Sequence, residues 1–179
     1  KMWPTALANL GIQLRGKIAE GAEPGRAIAR LTDLGYGQAL RELFREGDGP
    51  VPVPLARAVV EVLGDWRPSA EGIVYVESAR RPTLTRDFAE GLSRYLKIPV
   101  VGTWSIVDPD VEPGHGAMNS AQRVAAVGRR FGLTGEIPSG PVLLLDDLVA
   151  TGWTLTLAAR AIRSAGASAV LPLALATES

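Results

Sequence analysis

The sequence predicts an α/β protein: a doubly wound parallel sheet preceded by a helical extension. Three observations carry this. Apolar runs rich in Val, Leu and Ile recur at residues 73–76, 99–104, 141–145 and 169–176. Stretches of helical spacing at 83–96, 120–131 and 154–165 separate them. Each run gives way to polar or glycine-containing residues before the next helix begins. Strand and helix in strict alternation mark a parallel sheet covered on both faces, because parallel neighbours are joined only by crossovers.

Composition bounds the chain further. Of 179 residues 46% are hydrophobic, enough for a sizeable core. Lys plus Arg number 19 and Asp plus Glu number 19, so no overall basic field draws this chain by itself onto nucleic acid. The absence of cysteine excludes disulfides, cysteine–zinc modules and thiol catalysis. No run approaches the roughly 18 apolar residues of a spanning helix, and the first ten residues lack the apolar core of a signal peptide. A cytoplasmic protein is expected. The start at Lys1-Met2-Trp3-Pro4 reads as a piece of something longer.

Residues 1–68 form the expected helical extension and residues 69–179 the sheet domain. Within 25–44, Ile28, Leu31, Leu34, Leu40 and Leu43 fall at near-helical spacing around Gly35-Tyr36-Gly37, which predicts two short helices with a turn between them. Gly47-Asp48-Gly49-Pro50 reads as a plain loop. Pro54 suits an early position of the next helix, which stops at Gly64. Residues 106–118 are rich in Pro, Gly and Asp, and Asn119 makes an N-cap for the helix 120–131. Gly166 stops the last helix. No internal repeat or low-complexity segment interrupts the pattern.

Ligands of open parallel sheets collect outside the carboxyl ends of the strands. After the run 141–145 come Asp146 and Asp147, then Leu148-Val149-Ala150-Thr151-Gly152-Trp153-Thr154. Gly152 permits a tight turn. The amides of Ala150, Thr151, Gly152, Trp153 and Thr154 converge at the positive end of the following helix, and Thr151 and Thr154 add hydroxyl donors. Together they make a cradle for a phosphate or another monoanion. Asp146 and Asp147 lie upstream at a spacing that suits the vicinal hydroxyls of a ribose, since carboxylates accept from two hydroxyls. A ribose 5-phosphate satisfies both halves.

After the run 73–76, Ser78, Ala79, Arg80 and Arg81 occupy the place of a diphosphate loop, and guanidinium forks suit its oxygens. The loop 106–118 has the length of a hood that closes over substrate, with Asn119 and Arg123 at its end. Each has a plainer reading: Arg80 and Arg81 as solvated charges, Asn119 as a helix cap, Arg123 as a face charge. Trp3, Trp66 and Trp104 are scattered and suit packing better than base stacking. His115, the single histidine, offers no metal site, and no residue is expected to bind a metal directly.

Residues 142–154, VLLLDDLVATGWT, resemble the phosphoribosyl-diphosphate signature of type I phosphoribosyltransferases. The resemblance implies the fold of that family, with Asp146 and Asp147 holding the ribose hydroxyls and Ala150 to Thr154 the 5-phosphate. It implies magnesium carried in with phosphoribosyl diphosphate. Two departures stand out. Position 153 is usually Gly or Ala there and is Trp here, with an indole that either packs away or covers the pocket. The glycines expected in the diphosphate loop are missing.

A wider resemblance rests on Trp3-Pro4-Thr5, on Leu31-Thr32-Asp33-Leu34-Gly35-Tyr36-Gly37, on Asn119-Ser120-Ala121-Gln122-Arg123, and on Asp146-Asp147-Leu148 with Thr151 to Thr156. These segments resemble the carboxyl-terminal region of RecQ-like DNA helicases of the mycobacterial type. It implies an accessory domain behind a helicase core and zinc module in one chain, with DNA contacted through those parts, a phosphoribosyl or nucleotide ligand, and no membrane. The chain has no G-x-x-x-x-G-K-[ST] motif of its own. Three functions remain open at this point: a helicase accessory module that has lost turnover, an active transferase, and a ligand-sensing or docking domain.

Overall fold

The computed structural model describes residues 1–111 and 118–179. Part of the expected hood loop, His115 included, lies outside the described residues. A 3-10 turn at Thr5–Leu10 precedes β1 (Arg26–Arg30), α1 (Tyr36–Glu46), α2 (Val53–Trp66), β2 (Gly72–Val76), α3 (Pro82–Leu96) and β3 (Val100–Ile106). Then follow α4 (Ser120–Arg130), β4 (Phe131–Gly135), β5 (Pro141–Val149), α5 (Trp153–Ser164) and β6 (Ala169–Thr177). The strands form one six-stranded sheet in the order β1-β6-β5-β2-β3-β4. All neighbours are parallel except β3 and β4. The α/β class and the mostly parallel sheet predicted from the sequence are therefore present.

The central strand β5 shows why its run is apolar throughout. Val142 and Leu144 point to one face, with α4, α5 and the Trp3–Leu7 segment. Leu143 and Leu145 point to the other, with α1, α2 and α3. A strand with helices on both faces has no solvent side, so its sequence cannot alternate.

Two edge strands correct the sequence reading. Residues 26–30, read as helical, form β1. Ala27, Ile28 and Ala29 are compatible with either state, and the free edge of β6 decides, pairing Arg26 with Leu173 and Ala29 with Ala176. The helix read as 120–131 ends at Arg130, and Phe131 starts β4, which pairs antiparallel with β3 from Ile106↔Phe131 to Gly102↔Gly135. At Gly102 a Cβ would collide with the Thr134 carbonyl oxygen, so only glycine allows this close pairing. The loop at Gly47–Pro50 also does more than connect. Asp48 accepts from the Thr83 and Leu84 amides at 3.0 and 2.9 Å and so caps the start of α3.

β2 and β5 are neighbours whose following segments leave in opposite directions, into α3 on one face and α5 on the other. That divergence opens a crevice at their carboxyl ends.

Candidate functional site

A cavity of about 610 Å³ occupies this crevice. Its β5 wall runs from Asp146 through the 150–154 loop, and its β2 wall is formed by Glu77, Ser78, Ala79 and Arg80. The sequence-predicted ribose, phosphate and diphosphate candidates thus meet in one space, with the exception of Arg81.

Gly152 takes the left-handed conformation (φ 81°, ψ 2°) at the N-cap of α5, the conformation for which glycine carries no steric penalty. The turn lets the chain leave β5 and enter α5 with its first amides beside the cavity, at the positive end of the helix. Thr151 is exposed, and Thr154 is half-buried.

Asp146 and Asp147 are 6% and 5% exposed. Asp146 Oδ1 accepts from the Asp147 amide at 2.8 Å, and Asp147 Oδ1 accepts from the Leu148 amide at 2.7 Å. Arg81 Nε donates to Asp147 Oδ2 at 2.6 Å, and its guanidinium lies 4.3 Å from the Phe44 ring centre. The structure therefore places Arg81 as the partner of an acid rather than beside Arg80 on the cavity wall. Arg80 is exposed and lines the cavity.

Burial, the neighbouring Asp147 charge and a side-chain hydrogen bond with Asp147 push the Asp146 carboxyl well above its ordinary 3.8, against the smaller lowering pull of the Asp147 amide and of Arg81. The folded protein then binds a proton that the unfolded chain has released. Stability is therefore lost as pH rises from the ordinary aspartate range through the raised value. Asp146→Asn, neutral at every pH, is expected to remove this loss and to be at least as stable as the parent at neutral pH. Thermal melting of both proteins from about pH 4 to about pH 8 checks it. A difference in melting temperature that does not change with pH would sink the expectation.

Asn119 Oδ1 accepts from the Gln122 amide at 2.9 Å while Gln122 Oε1 accepts from the Asn119 amide at 2.9 Å, a reciprocal cap at the start of α4. Asn119 does not line the cavity, whereas Arg123 does. The indole of Trp153 is 7% exposed and stacks on Trp3, with ring centres 6.1 Å apart and planes 19° apart. It packs into the core on the α4–α5 face, the first of the two alternatives left open by the sequence.

Sequence reasoning missed Lys1, Val127, Arg130 and Phe131. Lys1 Nζ lies 4.1 Å from the Trp153 ring centre and donates to the Thr151 carbonyl at 3.3 Å. Val127, Arg130 and Phe131 add a third wall to the cavity. Residues 123, 127 and 130 recur at helical spacing, so one face of α4 was the available signal.

No family model matches the chain. It is 22% identical to the ribose-phosphate pyrophosphokinase of Staphylococcus haemolyticus over 160 residues, taking in 75% of this chain and 48% of that protein. The chain thus spans about half the length of the curated relative it matches. Among solved structures it is similar to an adenine phosphoribosyltransferase from Leishmania tarentolae, with TM-score 0.49 and 15% identity, covering 81% of this chain and 90% of that one. It is also similar to an orotate phosphoribosyltransferase from Aeropyrum pernix, with TM-score 0.37 and 19% identity over 60% of each chain.

Proposed function

We infer that the cavity binds a ribose 5-phosphate group, brought as the magnesium complex of phosphoribosyl diphosphate. The observation that carries this is the juxtaposition of two buried carboxylic acids with a helix-opening Thr-Gly-Trp-Thr loop on one wall of a cavity at the switch point of the sheet. Asp146 and Asp147 receive the ribose hydroxyls, the 150–154 amides hold the 5-phosphate, and Ser78, Ala79 and Arg80 face the diphosphate. The curated relative is itself named for a ribose phosphate, which supports this ligand class.

Magnesium suits this arrangement as a passenger on the ligand. Among the described residues no cluster of three His, Cys, Asp or Glu side chains could hold a metal. Magnesium prefers a few carboxylates plus substrate phosphates over a dedicated protein cage, and Asp146 and Asp147 are the acids on hand. Bound there, it would neutralise charge on the diphosphate.

In this reading the domain serves as an accessory part of a cytoplasmic RecQ-like helicase chain, joined to a helicase core and zinc module that contact DNA. Support comes from the sequence segments named above. The Trp3–Trp153 stack adds to it by joining two of those segments beside the cavity. Among the described residues no helix is long and apolar enough to cross a membrane.

The paired acids and the Thr151–Thr154 loop favour a second reading, an active transferase. There the lone pair of an acceptor forms a bond to C1 of the ribose while the C1–O bond breaks. Diphosphate departs with the bonding pair, and the acceptor gives up its proton.

Calorimetric titration of phosphoribosyl diphosphate with magnesium into the chain tests the site. Binding at one site per chain with micromolar affinity, displaced by ribose 5-phosphate, is expected. No binding at millimolar ligand would defeat the proposal. Release of diphosphate in the presence of an acceptor would then select the transferase reading.

A further inference from the structure

The ammonium of Lys1 stands where the electrostatics of the fold argue against it. α5 opens at Trp153, and Lys1 Nζ lies 4.1 Å from the centre of that indole. A helix N-terminus is already positive, so a second cation beside it is disfavoured unless an anion joins them. Burial adds to the cost and pushes the ammonium below its ordinary 10.5.

The chain holds Lys1 there through several ties. The Trp3 amide donates to the Gly16 carbonyl at 2.9 Å, the Ile18 amide donates to the Lys1 carbonyl at 3.1 Å, and Met2 pairs antiparallel with Lys17. Trp3 packs into the core and stacks on Trp153, which pins this strap to the first turn of α5. Just beyond it, Glu20 accepts from the Ser164 hydroxyl at 2.9 Å, at the other end of the same helix.

Lys1 acts on the loop from outside the cavity. It does not line the space, whereas Thr151, Gly152 and Trp153 do. Its Nζ donates to the Thr151 carbonyl at 3.3 Å and to Thr156 Oγ1 at 3.4 Å. Thr156 in turn donates to the Gly152 carbonyl, through its hydroxyl at 2.8 Å and its amide at 2.9 Å. In a trans peptide the N–H points opposite to the C=O. With the Thr151 and Gly152 carbonyls taken up by Lys1 and Thr156, the Gly152 and Trp153 amides face the other way. A Cβ on residue 152 would stand 3.3 Å from Nζ, so glycine also leaves the ammonium room to come this close.

We propose that Lys1 is a positioning residue of this loop that selects a doubly charged phosphate monoester over a singly charged anion of the same shape. The assignment deepens the ribose-phosphate reading and rests on it. Amides at a helix N-terminus serve a monoanion as well as a phosphate. A full positive charge behind them gains more from the second negative charge, because Coulomb attraction grows with the product of the charges. Trp153 then has a task of its own, since its ring is the platform over which the ammonium is held.

The test compares D-ribose 5-phosphate with D-ribose 5-sulfate, alike in shape and one charge fewer. Each is titrated calorimetrically into the chain at about pH 7.5, where a phosphate monoester is largely doubly charged. The parent chain is expected to prefer the phosphate by at least about tenfold. Lys1→Met should weaken the phosphate about tenfold and the sulfate by no more than about threefold, removing most of the preference. Lys1→Arg keeps the charge and should keep most of the preference. A parent that binds ribose 5-phosphate but binds the sulfate equally well overturns the proposal alone. So does Lys1→Met if it weakens both ligands equally or neither, and so does Lys1→Arg if it loses as much preference as Lys1→Met. A parent that binds neither ligand overturns the ribose-phosphate reading as well.

Discussion

Replacing Asp146 and Asp147 together by Asn is expected to weaken binding of magnesium phosphoribosyl diphosphate by at least about 100-fold. Each hydrogen bond to the charged Asp147 contributes about 1.5–3 kcal/mol, a carboxylate accepts from both ribose hydroxyls, and the contacts of the protonated Asp146 are lost with it. The substitution has a second consequence that must be separated from the first. Asp147 is the partner of Arg81, with side chains 8% and 14% exposed, so Asp147→Asn strands a nearly buried guanidinium. A destabilised protein could lose ligand for that reason alone. Arg81→Met in the same background removes the stranded charge and is expected to recover melting temperature without recovering affinity. Calorimetry beside thermal melting reads both quantities. Affinity within about threefold of the parent in the double Asn variant would remove the acids from the ribose site.

Trp153→Ala is expected to cost about 3–5 kcal/mol of stability and to loosen the 150–154 loop. The indole is 7% exposed and belongs to the core with Trp3, Leu157 and Ala158. Truncation leaves a ring-sized void beside the first turn of α5, and the stack on Trp3 is lost with it. Lys1 loses the ring over which its ammonium sits, weakening its hold on the Thr151 carbonyl and the Thr156 hydroxyl. Trp153 is the first residue of α5, directly after Gly152, so a shift of its backbone moves the amides proposed to cradle the 5-phosphate. Denaturant unfolding measures the stability, and the same calorimetric titration measures the ligand. Trp3→Ala should reproduce both effects in part, because it empties the other half of the stack. Tighter binding in Trp153→Ala would mean instead that the indole obstructs the cavity.

The candidate site was legible because its chemistry is local. Asp146 to Thr154 is one uninterrupted stretch that ends a buried strand and opens a helix, and two acids, a glycine turn and two hydroxyls keep their meaning wherever that stretch folds. The four strands of the second part of the chain were legible for a related reason. Burial on both faces demands unbroken apolar runs, and such runs are visible without knowing which strands are neighbours. The edge strands were not. β1 is built from Arg, Ala and Ile, and β4 from Phe131-Gly132-Leu133-Thr134-Gly135, sequences with no decisive preference of their own.

By itself, then, the sequence determined the α/β class, the central strands and helices, and the stretch that carries the two acids and the glycine turn into α5. Tertiary structure alone decided which state the edge segments adopt, because an unpaired sheet edge offers hydrogen bonds that their local preferences do not outweigh. It alone turned Arg81 toward Asp147, laid Trp3 on Trp153 and buried Arg130 in the cavity wall. Arg81–Asp147 and Trp3–Trp153 span 66 and 150 positions of chain. Contacts of that separation follow from the order in which the strands are laid side by side, and no local pattern encodes that order.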